Sequence, residues 1–259
     1  MRVMTPEEIE AFNQQRYQHV CSIAQVSIDH KSDPQDYFSK LVNIKLSYLR
    51  KYAAGKNVLD VGCGSGDYLF ELKELMTLGM GIDFTDKAIE AANAKKALLV
   101  ASNIQFVNTS AKQLGLADGT FDVVFSFSAL AYMPQLNEIV KEMARVLNKG
   151  GVAILEIGNL NSLNTYVCKA YPELAMTCHV STADMKKAVS QAGLTIIDWR
   201  AFGILPFWGK RPGWLKFLLH ERWKKIFQMD INGKMLDEWV SNFFIFKPFA
   251  YRHFLILRK

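Results

Sequence analysis

The residues Asp60-Val61-Gly62-Cys63-Gly64-Ser65-Gly66-Asp67 have the types and spacing of a ligand-binding turn. An apolar run, Val58-Leu59, leads into an acid; three glycines then alternate with other residues, and a helical pattern starts at Asp67. Such a turn lets a ligand approach the backbone closely, because glycine tolerates positive φ and presents no side chain. The helix N-terminus that follows aims free N–H groups at the same place. The pattern predicts a strand, a tight turn and a helix that hold a nucleotide-like cofactor.

Three cofactor classes can be compared on these residues. A phosphate loop ends in Gly-Lys-Ser/Thr, whereas Gly66 is followed by Asp67 and Tyr68. The dinucleotide fingerprint needs its third glycine at position 67, where Asp stands. Asp60, just before the turn, would oppose a pyrophosphate but suits a cationic ligand. S-adenosylmethionine, with a sulfonium, an ammonium and no phosphate, has that character.

The neighbouring segments extend the pattern. Gly79-Met80-Gly81-Ile82-Asp83-Phe84 reads as a second strand ending in an acid, about twenty residues beyond the turn, the spacing at which an acid meets ribose hydroxyls. Phe121-Asp122-Val123-Val124-Phe125-Ser126 and Gly150-Gly151-Val152-Ala153-Ile154-Leu155-Glu156 read as further strands. Together, from Val58 to Glu156, these residues resemble the class I S-adenosylmethionine-dependent methyltransferases, in particular the small-molecule group that includes the ubiquinone-biosynthesis type. The resemblance implies S-adenosylmethionine as cofactor, held by Asp60, Gly62, Gly64, Gly66, Asp83 and Phe84, with Ala111 and Ser126 beside it. Thr109-Ser110-Ala111 stands where family members carry Gly-Asp-Ala, so Ser110 would take the Asp's part towards the adenine amino group. Tyr132 stands where a His is common, and Lys149-Gly150-Gly151 replaces Pro-Gly-Gly.

The elements that must position these residues alternate in type. Strands are expected near 57–61, 79–83, 104–107, 121–127, 151–158, 194–201 and 249–257, with helices near 67–78, 86–99, 135–147 and 182–192. Two helices come first, one starting at Thr5-Pro6 and one over 36–52 with a buried stripe of Tyr37, Leu41, Ile44 and Tyr48. The expected fold is α/β: a doubly wound, Rossmann-like, mostly parallel seven-stranded sheet with N-terminal helices and a lid insert before the last strand. No repeat or low-complexity linker interrupts 1–259, so one domain is expected: helices over 1–55, a cofactor-binding core over 56–201, a basic aromatic insert over 202–248 and a final strand over 249–259.

Composition bounds the function. The chain has 259 residues, enough for a full α/β core, and a net charge of +6. From Phe202 onward eleven Lys or Arg face four acids, a local +7, so this end carries the whole excess. Fourteen of the thirty-one aromatic residues lie there as well. Within it, a helix over Trp214–Met229 would present Leu215, Leu218, Leu219, Trp223 and Ile226 on one side and Lys216, His220 and Lys224 on another. Peripheral contact with an inner membrane surface is one expectation from this end; a packed helix with a solvated basic face is the other. No basic-then-apolar start and no long apolar run appears, which leads to the expectation of a cytoplasmic protein. Cys21, Cys63, Cys168 and Cys178 have no metal-ligand spacing, and no metal is expected.

Methyl transfer from a sulfonium is an in-line displacement, and an oxygen acceptor usually also loses a proton. Tyr132, Glu156 and His179 are the candidate catalytic groups. Histidine is the residue type whose ordinary range suits a general base, which favours His179 among them. Asn159–Ser181 and the basic insert would roof the acceptor. The function expected is S-adenosylmethionine-dependent methylation, on oxygen, of a small-molecule or glycan/lipid-linked acceptor. An RNA methyltransferase and a non-catalytic cofactor-binding protein are the alternatives; nucleic acid is the less expected partner, because Ser126-Phe127-Ser128-Ala129 lacks the signature of base-amine methylation.

Overall fold

A computed structural model describes residues 4–23, 35–169, 177–207, 217 and 221–259. The side chains in the strands alternate between two faces, as the pleat requires. Val58 and Val123 enter one apolar core; their neighbours Leu59 and Val124 enter the other. Both faces of one sheet are therefore covered.

In chain order the elements are α1 (Pro6–Ile23), α2 (Tyr37–Ala53), β1 (Asn57–Val61), α3 (Asp67–Leu72), β2 (Leu78–Asp83), α4 (Asp86–Leu98), β3 (Ile104–Asn108), β4 (Phe121–Ser126), α5 (Leu136–Val146), β5 (Leu147–Gly158), α6 (Leu163–Lys169), α7 (Thr182–Gln191), β6 (Thr195–Phe202), α8 (Glu221–Phe227), β7 (Asp230–Ile231), β8 (Lys234–Met235), α9 (Leu236–Asn242) and β9 (Arg252–Arg258). Seven strands form one sheet in the order β3-β2-β1-β4-β5-β9-β6. The first five pair in parallel, and β9 runs antiparallel between β5 and β6. This is the Rossmann-like, mostly parallel seven-stranded sheet that the alternating pattern predicts. Its order reverses between β1 and β4, which opens a crevice at their carboxyl ends.

Helices α2 and α3 close one face through Leu41, Leu49, Leu69 and Leu72; α5 and α7 close the other through Ile139, Val140, Met143, Met185 and Ala188. Of the expected stripe on α2, Tyr37, Leu41 and Tyr48 are buried and Ile44 packs at the edge.

Several boundaries differ from expectation. Helix α3 stops at Leu72 rather than near 78, because the chain must turn back to start β2: Thr77 N–H donates to the Lys56 carbonyl at 2.9 Å, beside the Asn57–Leu78 pairing. Six residues are too few for a free-standing helix. Burial of Leu69 and Leu72, about 1.5–3 kcal/mol each, holds it. Strand β5 begins at Leu147, pairing with Phe121 across a bulge, which ends α5 one residue early. The N-cap of α7 is Ser181; its hydroxyl accepts from Asp184 N–H and the Asp184 carboxylate accepts from the Ser181 N–H. Strand β9 starts at Arg252, three residues late, since Lys247–Phe249 forms a 3-10 turn around Pro248.

The described part of the insert is pinned to the core. Asp237 on α9 is buried and accepts from Tyr37 Oη (2.7 Å), Gly203 N (2.7 Å), Ile204 N (3.3 Å) and Ser241 Oγ (3.1 Å). Lys40 on α2 pairs with Asp230 at 2.7 Å, and Lys224 on α8 pairs with Asp36 at the N-cap of α2. Lys216 and the segment around Trp208, Pro212, Trp214, Leu218, Leu219 and His220 lie outside the described residues.

Candidate functional site

The crevice at the β1/β4 switch point holds a cavity of about 440 Å³. The glycine turn forms its floor. Gly62, Gly64 and Gly66 all have positive φ. A Cβ on Gly62 would collide with Ala129 Cβ, whereas a Cβ on Gly64 would meet nothing within 4 Å. Gly62 is thus required by packing, and Gly64, at φ +53°, leaves its backbone open to the cavity.

Two acids flank the turn. Asp83, at the end of β2, accepts from Gly64 N–H at 3.0 Å through Oδ2 and from Thr85 N–H at 2.9 Å through Oδ1. Its carboxylate braces the turn while still facing the cavity. Burial pushes its pKa up, and these backbone donors oppose the shift. Asp60, at the end of β1, is 2% exposed and lines the cavity, yet no described residue donates a hydrogen bond to it. Burial, then repulsion from Asp83 and Asp67, pushes its carboxyl well above the usual range. A cation placed in the cavity would relieve both effects. Asp67, by contrast, is held by Ser65 Oγ at 3.0 Å and by Lys95.

Helix α1 crosses this end. Gln14 Nε2 donates to the Phe84 carbonyl at 3.0 Å, and Asn13 Nδ2 donates to the Tyr132 carbonyl at 2.8 Å. Phe84 and Tyr132 line the main cavity and also a small adjoining recess walled by Ser110 and Ala111. Tyr17 packs edge-on against Tyr132, ring centroids 5.4 Å apart, and burial keeps its phenol protonated.

The far end of the cavity carries Lys45 from α2, Ser128 after β4 and Arg252 from β9, among Phe38, Leu41, Val42, Tyr68 and Phe127. Behind them lies Glu156, at the end of β5. Its Oε2 is 2.7 Å from Lys45 Nζ and accepts from Ser128 N–H at 2.9 Å, and its Oε1 pairs with Arg252. The two cations hold the Glu156 pKa down to about 2 against the desolvation that raises it.

The structure thus brings Asp60, Gly62, Gly64, Asp83, Phe84 and Tyr132 to one cavity, with Ser110 and Ala111 in the recess beside it. Gly66 lies under the turn, where a Cβ would strike Phe106. Three expected positions lie elsewhere. Ser126 is fully buried and donates to the Val61 carbonyl at 2.7 Å, tying β4 to β1. His179 lines neither cavity: its Nδ1 is 2.7 Å from Thr165 Oγ1, its Nε2 is 3.4 Å from Tyr251 Oη, and its ring covers Gly158. Glu156 also lines neither, and so acidic a carboxylate is a poor base. A base role for His179 or Glu156 therefore does not carry over to the folded chain. Sequence reasoning missed Tyr17, Lys45, Ser128 and Arg252. One signal was present: Lys45 stands four residues after Leu41, on the apolar stripe of α2.

A family model described as a methyltransferase domain matches residues 53–228. The chain is similar to the demethylmenaquinone methyltransferase of Lactococcus lactis, 36% identical over 38% of this chain and 40% of that protein. It is also similar to the 27-O-demethylrifamycin SV methyltransferase of Amycolatopsis mediterranei, 33% identical over 41% of this chain and 40% of that protein. The chain thus spans about two fifths of the length of these relatives. Among solved structures it resembles the magnesium protoporphyrin IX methyltransferase of Synechocystis with bound SAH, at 19% identity and a TM-score of 0.60, over 96% of this chain and 97% of that one.

Proposed function

Because the chain belongs to the methyltransferase-domain family, of the class I S-adenosylmethionine-dependent kind, we propose that it methylates an oxygen of a small organic acceptor. One observation carries the reading: the unpartnered carboxylate of Asp60 beside the open backbone of Gly64. The residues present fit S-adenosylmethionine. Asp60 would meet its positive charge, Asp83 would accept from its ribose, and Phe84, Ser110 and Ala111 would surround its base. When bound, this cofactor supplies a methyl group already activated on sulfur.

The remaining work falls to the chain's own side chains. The cavity holds the acceptor in line and excludes water through Phe38, Leu41, Tyr68 and Phe127. Positioning of this kind contributes up to about 7–11 kcal/mol in ideal cases. Tyr17 and Tyr68 stay protonated through burial, so each can donate or orient but not take a proton. The similarity to the demethylmenaquinone and 27-O-demethylrifamycin SV methyltransferases supports a small-molecule acceptor, and the second supports oxygen as the atom methylated.

The test is calorimetric titration with S-adenosylhomocysteine, followed by incubation with labelled S-adenosylmethionine and a panel of phenols, carboxylic acids and sugar alcohols. Binding of the first and labelled O-methyl product from the second are expected. Tight NADH binding with no S-adenosylhomocysteine binding would overturn the reading.

A further inference from the structure

The far end of the cavity is built for charge. Two cations, Lys45 and Arg252, line it, and the one anion paired with them among the described residues, Glu156, lies behind and does not line the cavity. Burial lowers the Lys45 pKa and Glu156 beside it opposes the shift; with both cations charged, the cluster carries one positive charge beyond Glu156 on its open side.

The donors are arranged accordingly. Arg252 directs one N–H at Glu156, and its guanidinium lies 5.1 Å from the Tyr251 ring centre. Its other N–H groups have no hydrogen-bond partner among the described residues, and Arg252 lines the cavity. Lys45 lies 2.7 Å from Glu156 and donates to Ser128 Oγ at 3.1 Å, while the Phe127 and Phe254 ring centres lie 5.3 and 5.7 Å from its ammonium. Ser128 holds its place at φ +57°, a left-handed conformation that serine seldom adopts. That strain aims both its N–H and its hydroxyl at Glu156, so the glutamate is saturated from the protein side. Guanidinium donors left open among aromatic and aliphatic walls match a planar oxyanion, which takes two parallel hydrogen bonds.

The opposite end of the same cavity is acidic, with Asp60 and Asp83 beside the glycine turn. A cation and an anion would therefore sort to opposite ends. Resting on the methyltransferase reading above, we propose that Arg252 and Lys45 form an oxyanion-binding subsite, and that the acceptor is a small apolar acid held there by its carboxylate or an equivalent oxyanion.

The probe is cinnamate, compared with its neutral isostere cinnamamide, titrated calorimetrically into the chain loaded with S-adenosylhomocysteine. Cinnamate is expected to bind about tenfold or more tightly than cinnamamide, with the difference shrinking as salt is raised. Arg252→Gln should bring the two probes together, and Arg252→Lys should restore part of the gap. A purely structural role for the cluster predicts instead that Arg252→Gln weakens both probes alike and that Arg252→Lys restores no preference between them. Equal binding of the two probes by the parent chain, or no binding of either, overturns the proposal even if every variant unfolds. If S-adenosylhomocysteine does not bind, the methyltransferase reading fails instead, and the cinnamate preference measured on the unloaded chain still decides the subsite.

Discussion

Gly64 and Asp83 are joined by a 3.0 Å hydrogen bond from the Gly64 N–H to Asp83 Oδ2, so the acid at the end of β2 sets the shape of the turn after β1. Its other oxygen is engaged by Thr85 N–H. Both oxygens must accept, and even the isosteric Asp83→Asn places an amide donor against a backbone donor. This variant is expected to weaken S-adenosylhomocysteine binding by about 1.5–3 kcal/mol in calorimetry, with an unchanged circular dichroism spectrum. Undiminished affinity would remove Asp83 from the cofactor site.

The turn glycines should separate into two kinds. Gly62→Ala drives a methyl group into Ala129 and should lower Tm clearly, by an overpacking cost of about 1–3 kcal/mol. Gly64→Ala meets open cavity, so its cost should be the left-handed strain of about 1–2 kcal/mol. Its loss should instead appear as a reduced rise in Tm on adding S-adenosylhomocysteine. A full ligand-induced rise in Gly64→Ala would place the ligand elsewhere.

His253 predicts a pH dependence of stability. The ring is fully buried in β9, accepts from Trp199 Nε1 at 2.8 Å and lies 3.2 Å from the Ala250 carbonyl. Burial lowers its pKa to about 4. Between that value and about 6.5 the unfolded chain binds the proton and the folded chain does not, so stability falls as pH drops through this window. By pH 5 the loss should reach about 2 kcal/mol. Denaturant titrations of the parent and of a His253 variant at pH 7 and pH 5 isolate it from the buried Asp60, Asp83 and Asp237, whose raised pKa values act in the opposite sense. His253→Asn, which keeps an acceptor near Trp199, should flatten the difference between the two pH values.

His179 provides a test of the base role suggested by its sequence position. With Thr165 and Tyr251 as its partners, His179→Gln should reduce stability by about 1–3 kcal/mol. The pH profile of kcat should keep its shape. A profile that loses its lower limb would return His179 to the catalytic step.

The cofactor half of this protein was legible because it is local. Asp60, the three glycines and Asp83 sit on one strand–turn–helix–strand unit, and their types follow from what a close ligand permits. The acceptor half was not, because Lys45, Ser128, Glu156 and Arg252 come from four separate elements joined only by the sheet order. Nothing in a linear pattern says that β9 inserts between β5 and β6, and so nothing places Arg252 opposite Lys45. His179 misled for the same reason: adjacency to a presumed insert gave no information about which way its ring points. Of the basic face expected on the insert, Lys224 pairs with Asp36, a partner nearly two hundred residues away that no local pattern indicates.

The antiparallel insertion of β9 also sets an order of assembly. A chain emerging from the ribosome presents the glycine turn, Asp60 and Asp83, on neighbouring parallel strands, well before β9. Arg252 arrives only with β9, which pairs with β5 on one side and on the other with β6, an edge strand whose pairing is with β9. Long-range strand pairing of this kind is slow. During synthesis, therefore, the half of the crevice that recognises the methyl donor can mature while the half that selects what receives the methyl group is still missing.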